Sequence, residues 1–126
     1  ERNIGQSAEN AETSTFNLDE LERMSGGDLA FRNEMLQIFI RSADDSLSKF
    51  RRFQQNHDWQ VVAETAHKLA APARHLQAAS LYRQLKKLES MPENSSHEEF
   101  GILISAIETE TQQIIRTLKQ KLENGN

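Results

Sequence analysis

The sequence predicts an all-α domain, an antiparallel up-and-down four-helix bundle with a short extra helix at its N-terminal side. Three observations lead there. Strand-forming residues are scarce, with valine only at Val61 and Val62 and a single tyrosine, Tyr82. Apolar residues instead recur every three or four positions over long segments. Those segments are joined by short turns, which is how antiparallel neighbours in a bundle are connected.

Residues 1–15 carry almost no apolar side chain and show no period, so they read as a flexible linker. Asn17 with Glu20 three residues later has the spacing of a capping box, opening a short helix through Leu18, Leu21 and Met24. Ser25-Gly26-Gly27 stops it, because glycine adopts the left-handed conformation common at helix ends. Asp28 is placed to cap the next helix, which runs to about Gln55. Its expected buried stripe is Phe31, Met35, Ile38, Phe39, Leu47 and Phe50, with a bend allowed at Ser42-Ala43-Asp44-Asp45.

Asn56-His57-Asp58 forms a turn, and Asp58 can cap a central helix whose core line is Trp59, Val62, Ala66, Leu69 and Ala73. Pro72 removes one backbone bond inside that helix. Because the apolar line continues through Ala73 and Leu76, a kink is expected there rather than an end. Gln77 to Ala79 form the next turn, and Leu81, Leu85 and Leu88 line a fourth helix that stops before Pro92. Ser96 and Glu99 form a second capping-box signature. The last helix then runs to about Leu122 through Phe100, Leu103, Ile104, Ile107, Thr111, Ile114 and Leu118. The domain is therefore expected over residues 16–123, with 124–126 a tail. A chain opening on Glu1 is expected to be a piece of a longer protein.

Composition excludes several functions. A net charge of −4 argues against nucleic acid as a partner. With no cysteine, disulfides and thiolate metal sites are out. No apolar run approaches a membrane span, so no direct membrane contact is expected in this segment. His67 and His75 are eight residues apart, unlike the i, i+4 pair of a helical zinc site, and no metal site is expected. No phosphate-cradling glycine loop or hydrolase carboxylate pair is present, so an autonomous enzyme is not expected.

What remains is His67. It falls roughly 90° from the core line of its helix, at the border between core and water. Its neighbours three and four residues away are Ala63, Glu64, Ala70 and Ala71, so little covers the ring. Arg74 lies two turns further on, within about 20° of the same line. Between Glu64 and Glu89 there is no acidic residue, whereas Lys68, Arg74, Arg83, Lys86 and Lys87 fall in that interval. An acidic chain thus gathers positive charge around His67, suited to an anion or an acidic partner. The same pattern also describes an ordinary polar histidine among helix-forming alanines.

Residues 16 to about 120 resemble a histidine-containing phosphotransfer (HPt) domain of a bacterial hybrid sensor kinase. The resemblance is carried by Phe16-Asn17-Leu18, then Gly26-Gly27-Asp28, a long helix with Phe39, Asp58-Trp59 and Ala66-His67-Lys68-Leu69. A leucine-lined helix ending near Leu88 and a closing helix complete it. Two departures stand out. The family's H-x-L-K-G core has lysine and glycine where this chain has Ala70 and Ala71, and its common glycine ten residues after the histidine is here Gln77.

The resemblance implies a phosphorelay protein of the cytoplasm, part of a membrane-bound sensor kinase. His67 would take a phosphoryl group from a receiver domain's phospho-aspartate and pass it to a second receiver. Histidine, with a reference pKa of about 6.5, has a nucleophilic lone pair near neutral pH. Arg74 is the expected substitute for the missing lysine, with Lys68 as the other candidate. Ala63, Glu64, Ala70, Ala71 and Arg74 are the expected receiver-binding surface, on a monomer. No cofactor is implied on this chain, since the assisting Mg²⁺ would sit on the receiver. The competing expectation is a helical interaction module that docks a partner with no phosphate chemistry.

Overall fold

The computed structural model describes residues 16–123. The expected linker at residues 1–15 and the tail at 124–126 lie outside the described residues. Among the described residues there are five helices and no strand: α1 (Asp19–Ser25), α2 (Leu29–Gln55), α3 (Trp59–His75), α4 (Ala79–Ser90) and α5 (His97–Glu123). Each of the four longer helices packs on its neighbours in sequence, and α5 closes the ring against α2. Between them lies one core, with Phe50, Ala66, Leu69, Leu85, Ile107 and Leu118 all essentially inaccessible to water.

The helix starts follow local chemistry. The Asp28 carboxylate accepts from the Phe31 N–H at 3.1 Å, and that of Asp58 from the Val61 N–H at 3.4 Å. Ser96 and Glu99 exchange both hydrogen bonds of the box, each at 3.0 Å. The expected box at Asn17 does not form. The Asn17 side chain accepts from the Asp19 N–H, its own N–H donates to the Leu76 carbonyl, and the Glu20 N–H donates to the Gln77 side chain. The N-terminal helix is therefore tied to the end of α3 instead of being capped by itself.

Both α2 and α3 end in the same way. The Asp58 N–H reaches the Phe53 carbonyl and the His57 N–H that of Gln54. At the end of α3, Ala78 and Gln77 repeat the pattern onto Ala73 and Arg74. This closure needs a left-handed residue, and here His57 (φ 56°) and Gln77 (φ 55°) supply it where glycine would be easier. Each costs about 1 kcal/mol. Each also gains a side-chain contact: Gln77 holds α1, and His57 packs against His97 with ring centroids 3.8 Å apart and planes tilted by 37°.

Several expectations need correcting. Phe31 and Ile38 are 44% and 48% exposed, and Met24 is likewise exposed, while Met35 is only half-buried. The buried line of α2 is Leu36, Ile40, Ala43, Leu47 and Phe50, together with Phe39. The N-terminal half of α2 is apolar on two faces, and only one of them can meet the core. The helix also runs unbroken through Ser42–Asp45, because Ala43 is fully buried in its middle. Ala79 is already helical rather than part of the turn. Helix α3 continues through Pro72 to His75, as its apolar line required. The backbone bond that Pro72 forgoes is the one to Lys68, an exposed residue whose carbonyl water can satisfy.

Candidate functional site

His67 sits in the middle of α3, one residue past the fully buried Ala66 and two before the buried Leu69. Those two fix the rotation of the helix and so turn the imidazole outward, where the side chain is 66% exposed. Helix α4 packs on the flank of α3 and brings up a partner that the local sequence of α3 does not contain. The Nδ1 atom of His67 lies 2.8 Å from Oε2 of Glu89. The other carboxylate oxygen, Oε1, accepts from the Lys86 ammonium at 3.0 Å.

The carboxyl of Glu89 is held below the usual carboxylate range, chiefly by the Lys86 hydrogen bond and further by that of His67, with partial burial opposing. Lys86 is correspondingly pushed up by the hydrogen bond and charge of Glu89. The site is thus a short chain of ammonium, carboxylate and imidazole that ends at an open Nε2.

Of the residues singled out in the sequence, His67, Lys68, Ala63 and Glu64 line one shallow depression with Gln60 and Glu89. Ala71 is exposed beside them. Ala70 does not belong to this surface. It is 4% exposed, because its side of α3 is covered in the bundle. Arg74 does not line the depression either. It is exposed, roughly 10 Å further along the helix axis. Lys68 is the nearer cation, and it also lines a groove between α2 and α3 together with Ser42, Asp45, Ser46 and Lys49.

Glu89 was the residue that sequence reading passed over, counted only as the end of a basic interval. A signal for it exists. His67 lies eleven residues before Ala78 and Glu89 eleven after, so a helical hairpin folded at Ala78 sets them side by side.

The remaining three histidines lie elsewhere. His75 is half-exposed at the end of α3, with Nδ1 3.8 Å from a Glu20 carboxylate oxygen. His57 and His97 pack against each other at the opposite end of α3, beside Trp59, which itself lies flat on Phe100 at 4.0 Å. Among the described residues no group of three or more histidine, aspartate or glutamate side chains is placed to hold a metal ion. No helix there is long and apolar enough to cross a membrane.

Comparison with known proteins gives one match. A family model described as "Hpt domain" matches residues 34–124, more than half of the chain, and contains α3, α4 and the whole of the site. No curated protein and no solved structure matches the chain.

Proposed function

The chain belongs to the Hpt domain family, a family of phosphohistidine carriers in phosphorelay signalling, and from that premise we propose that His67 is the residue that carries the phosphoryl group. The observation that supports this reading is the geometry of the ring. His67 is exposed in a shallow depression, its Nδ1 is engaged by Glu89, and its Nε2 is open to an incoming partner. Phosphoryl transfer asks little more of a carrier than position and charge, since the metal that assists belongs to the partner. On this reading the domain accepts the group from a receiver domain's phospho-aspartate and hands it to another receiver. It acts as a monomer and as part of a hybrid kinase on the cytoplasmic side.

Lys68, which shares the depression with His67, is the cation proposed to meet the phosphoryl oxygens, in place of Arg74. The receiver is proposed to cover Ala63, Glu64 and Ala71, and to extend onto α2. Phe31, Met35 and Ile38 continue the line of Ser42, Asp45 and Lys49, which already flanks Glu64 and Lys68 across the groove. Their exposure leaves an apolar strip beside the site, of the kind that marks interaction surfaces.

Incubation with a phosphorylated receiver tests the reading. Label that is acid-labile and base-stable supports it, and binding without label would identify an interaction module instead. Ile38→Asp is expected to weaken receiver binding at least tenfold with helix content unchanged; equal binding would remove α2 from the proposed surface.

A further inference from the structure

We propose that His57 and His97 form a binding site for a divalent transition-metal ion of the class that imidazole prefers, Cu²⁺ or Zn²⁺. The inference stands apart from the relay reading. The pair adjoins Trp59 at the start of α3, about 12 Å along the helix axis from His67.

The two histidines come from elements far apart in the chain, the turn between α2 and α3 and the first residue of α5. The fold nevertheless brings their ring centroids within 3.8 Å, with the planes tilted by 37°. Both residues are exposed. Two imidazole nitrogens on one tetrahedral Zn²⁺ lie about 3.3 Å apart. Rings already in contact and open to water reach that separation by turning about their Cβ–Cγ bonds. They border a cavity of about 310 Å³ that Gln54 and Gln55 also line, which has room for the ion and its remaining water ligands.

The surroundings favour a cation over an anion. Residues 53–61 and 91–100, which carry the two histidines, include Asp58, Glu93, Glu98 and Glu99 and no lysine or arginine. Arg51 also lines the cavity, but Glu108 engages its guanidinium, with Nε 2.6 Å from Oε2. Imidazole selects Cu²⁺, Ni²⁺ and Zn²⁺, whereas Mg²⁺ and Ca²⁺ take oxygen ligands. With two protein ligands the site is open, and weaker than a closed structural zinc site. A bound ion clips the start of α5 to the α2–α3 turn and stabilises that end of the bundle by mass action.

The chain's single tryptophan provides the test. Its ring centroid lies 5.9 Å from that of His57 and 5.8 Å from that of His97, so Cu²⁺ held by the pair quenches its fluorescence at short range. Titration of the metal-free chain with Cu²⁺ is expected to give saturable quenching at one ion per chain. Zn²⁺ should raise the thermal midpoint, and Mg²⁺ should leave it unchanged. His57→Gln and His97→Gln should each weaken Cu²⁺ binding about tenfold or more. His67→Gln and His75→Gln should leave it within about twofold of wild type. Glutamine fits a left-handed turn in this same chain at Gln77 (φ 55°), so His57→Gln is expected to keep its helix content. His97→Gln repeats the test outside that turn. Wild-type chain without saturable quenching, or quenching retained in both pair variants, would mean an adventitious ion only and overturn the inference. An equal rise in midpoint with Mg²⁺ would overturn it as well, because the carboxylates would then be the ligands.

Discussion

His67 and the His57–His97 pair set the same side chain in opposite surroundings. The pair is folded onto itself: two imidazoles at 3.8 Å, Trp59 beside them and Phe100 beneath the indole, closing the end of the bundle where α2 turns into α3 and α5 begins. Each imidazole is exposed but packs against another ring. His67 instead has one nitrogen fixed by a carboxylate and the rest of the ring in water. What meets the nitrogens and faces therefore distinguishes His67 from the other histidines. Exposure alone does not, for His75 is also half-exposed and lacks the framing depression.

The sharpest way to break this contrast is to exchange the histidines one at a time. His67→Gln is expected to abolish labelling by a phosphorylated receiver, a loss beyond detection, with helix content retained because glutamine is a good helix former. His57→Gln and His97→Gln should keep it. Label surviving in His67→Gln would end the distinction.

A smaller effect separates the two cations near the site. Lys68→Ala should slow labelling about tenfold, the scale of one charge-assisted hydrogen bond. Arg74→Ala, outside the depression, should change the rate less than about twofold by the same scale. The reverse ranking would show that Arg74 bends back to the phosphoryl group, as its angular position alone suggests.

The smallest expected effect belongs to the structural pair and is read in stability only. His57→Ala keeps the cost of a left-handed residue and loses the ring contact with His97, which should destabilise the fold by roughly 1 kcal/mol in thermal or denaturant unfolding. His57→Gly relieves the backbone cost and should lie closer to wild type. Both should label normally. If His57→Ala loses labelling while remaining folded, the two regions are coupled.

Most of the fold was legible because its signals are local. Asp28, Asp58 and the Ser96–Glu99 box each act within one turn, and Leu81, Leu85 and Leu88 fall on a single line. The errors arose where two local signals competed or where the cause was remote. Phe31, Met35 and Ile38 have as good a helical period as Leu36, Ile40 and Ala43. Only the second line stays apolar to the end of α2, through Leu47 and Phe50, whereas the first turns polar at Ser42 and Asp45. The Asn17 box failed for a different reason, since α3 supplied better partners in Leu76 and Gln77.

At the site, the small residues around His67 were visible in the sequence, but their burial was not. Ala70 looks like Ala71 until a neighbouring helix covers one of them. Glu89 was hidden because its effect on His67 depends on the register of the α3–α4 hairpin, twenty-two residues away. The two non-glycine residues at positive φ among the described residues show the same thing: a local departure from the easiest residue marks a long-range contact, His57 to His97 and Gln77 to Glu20.

His67 is proposed as the sole phosphoryl acceptor among the chain's four histidines, and this is directly testable. The combined variant His57→Gln, His75→Gln, His97→Gln retains His67 as its sole histidine and should be incubated with a radiolabelled phospho-receiver. Acid-labile, base-stable label at the wild-type extent is expected, lost again when His67→Gln is added. A folded sole-histidine variant that takes no label under conditions where the wild type does would contradict it.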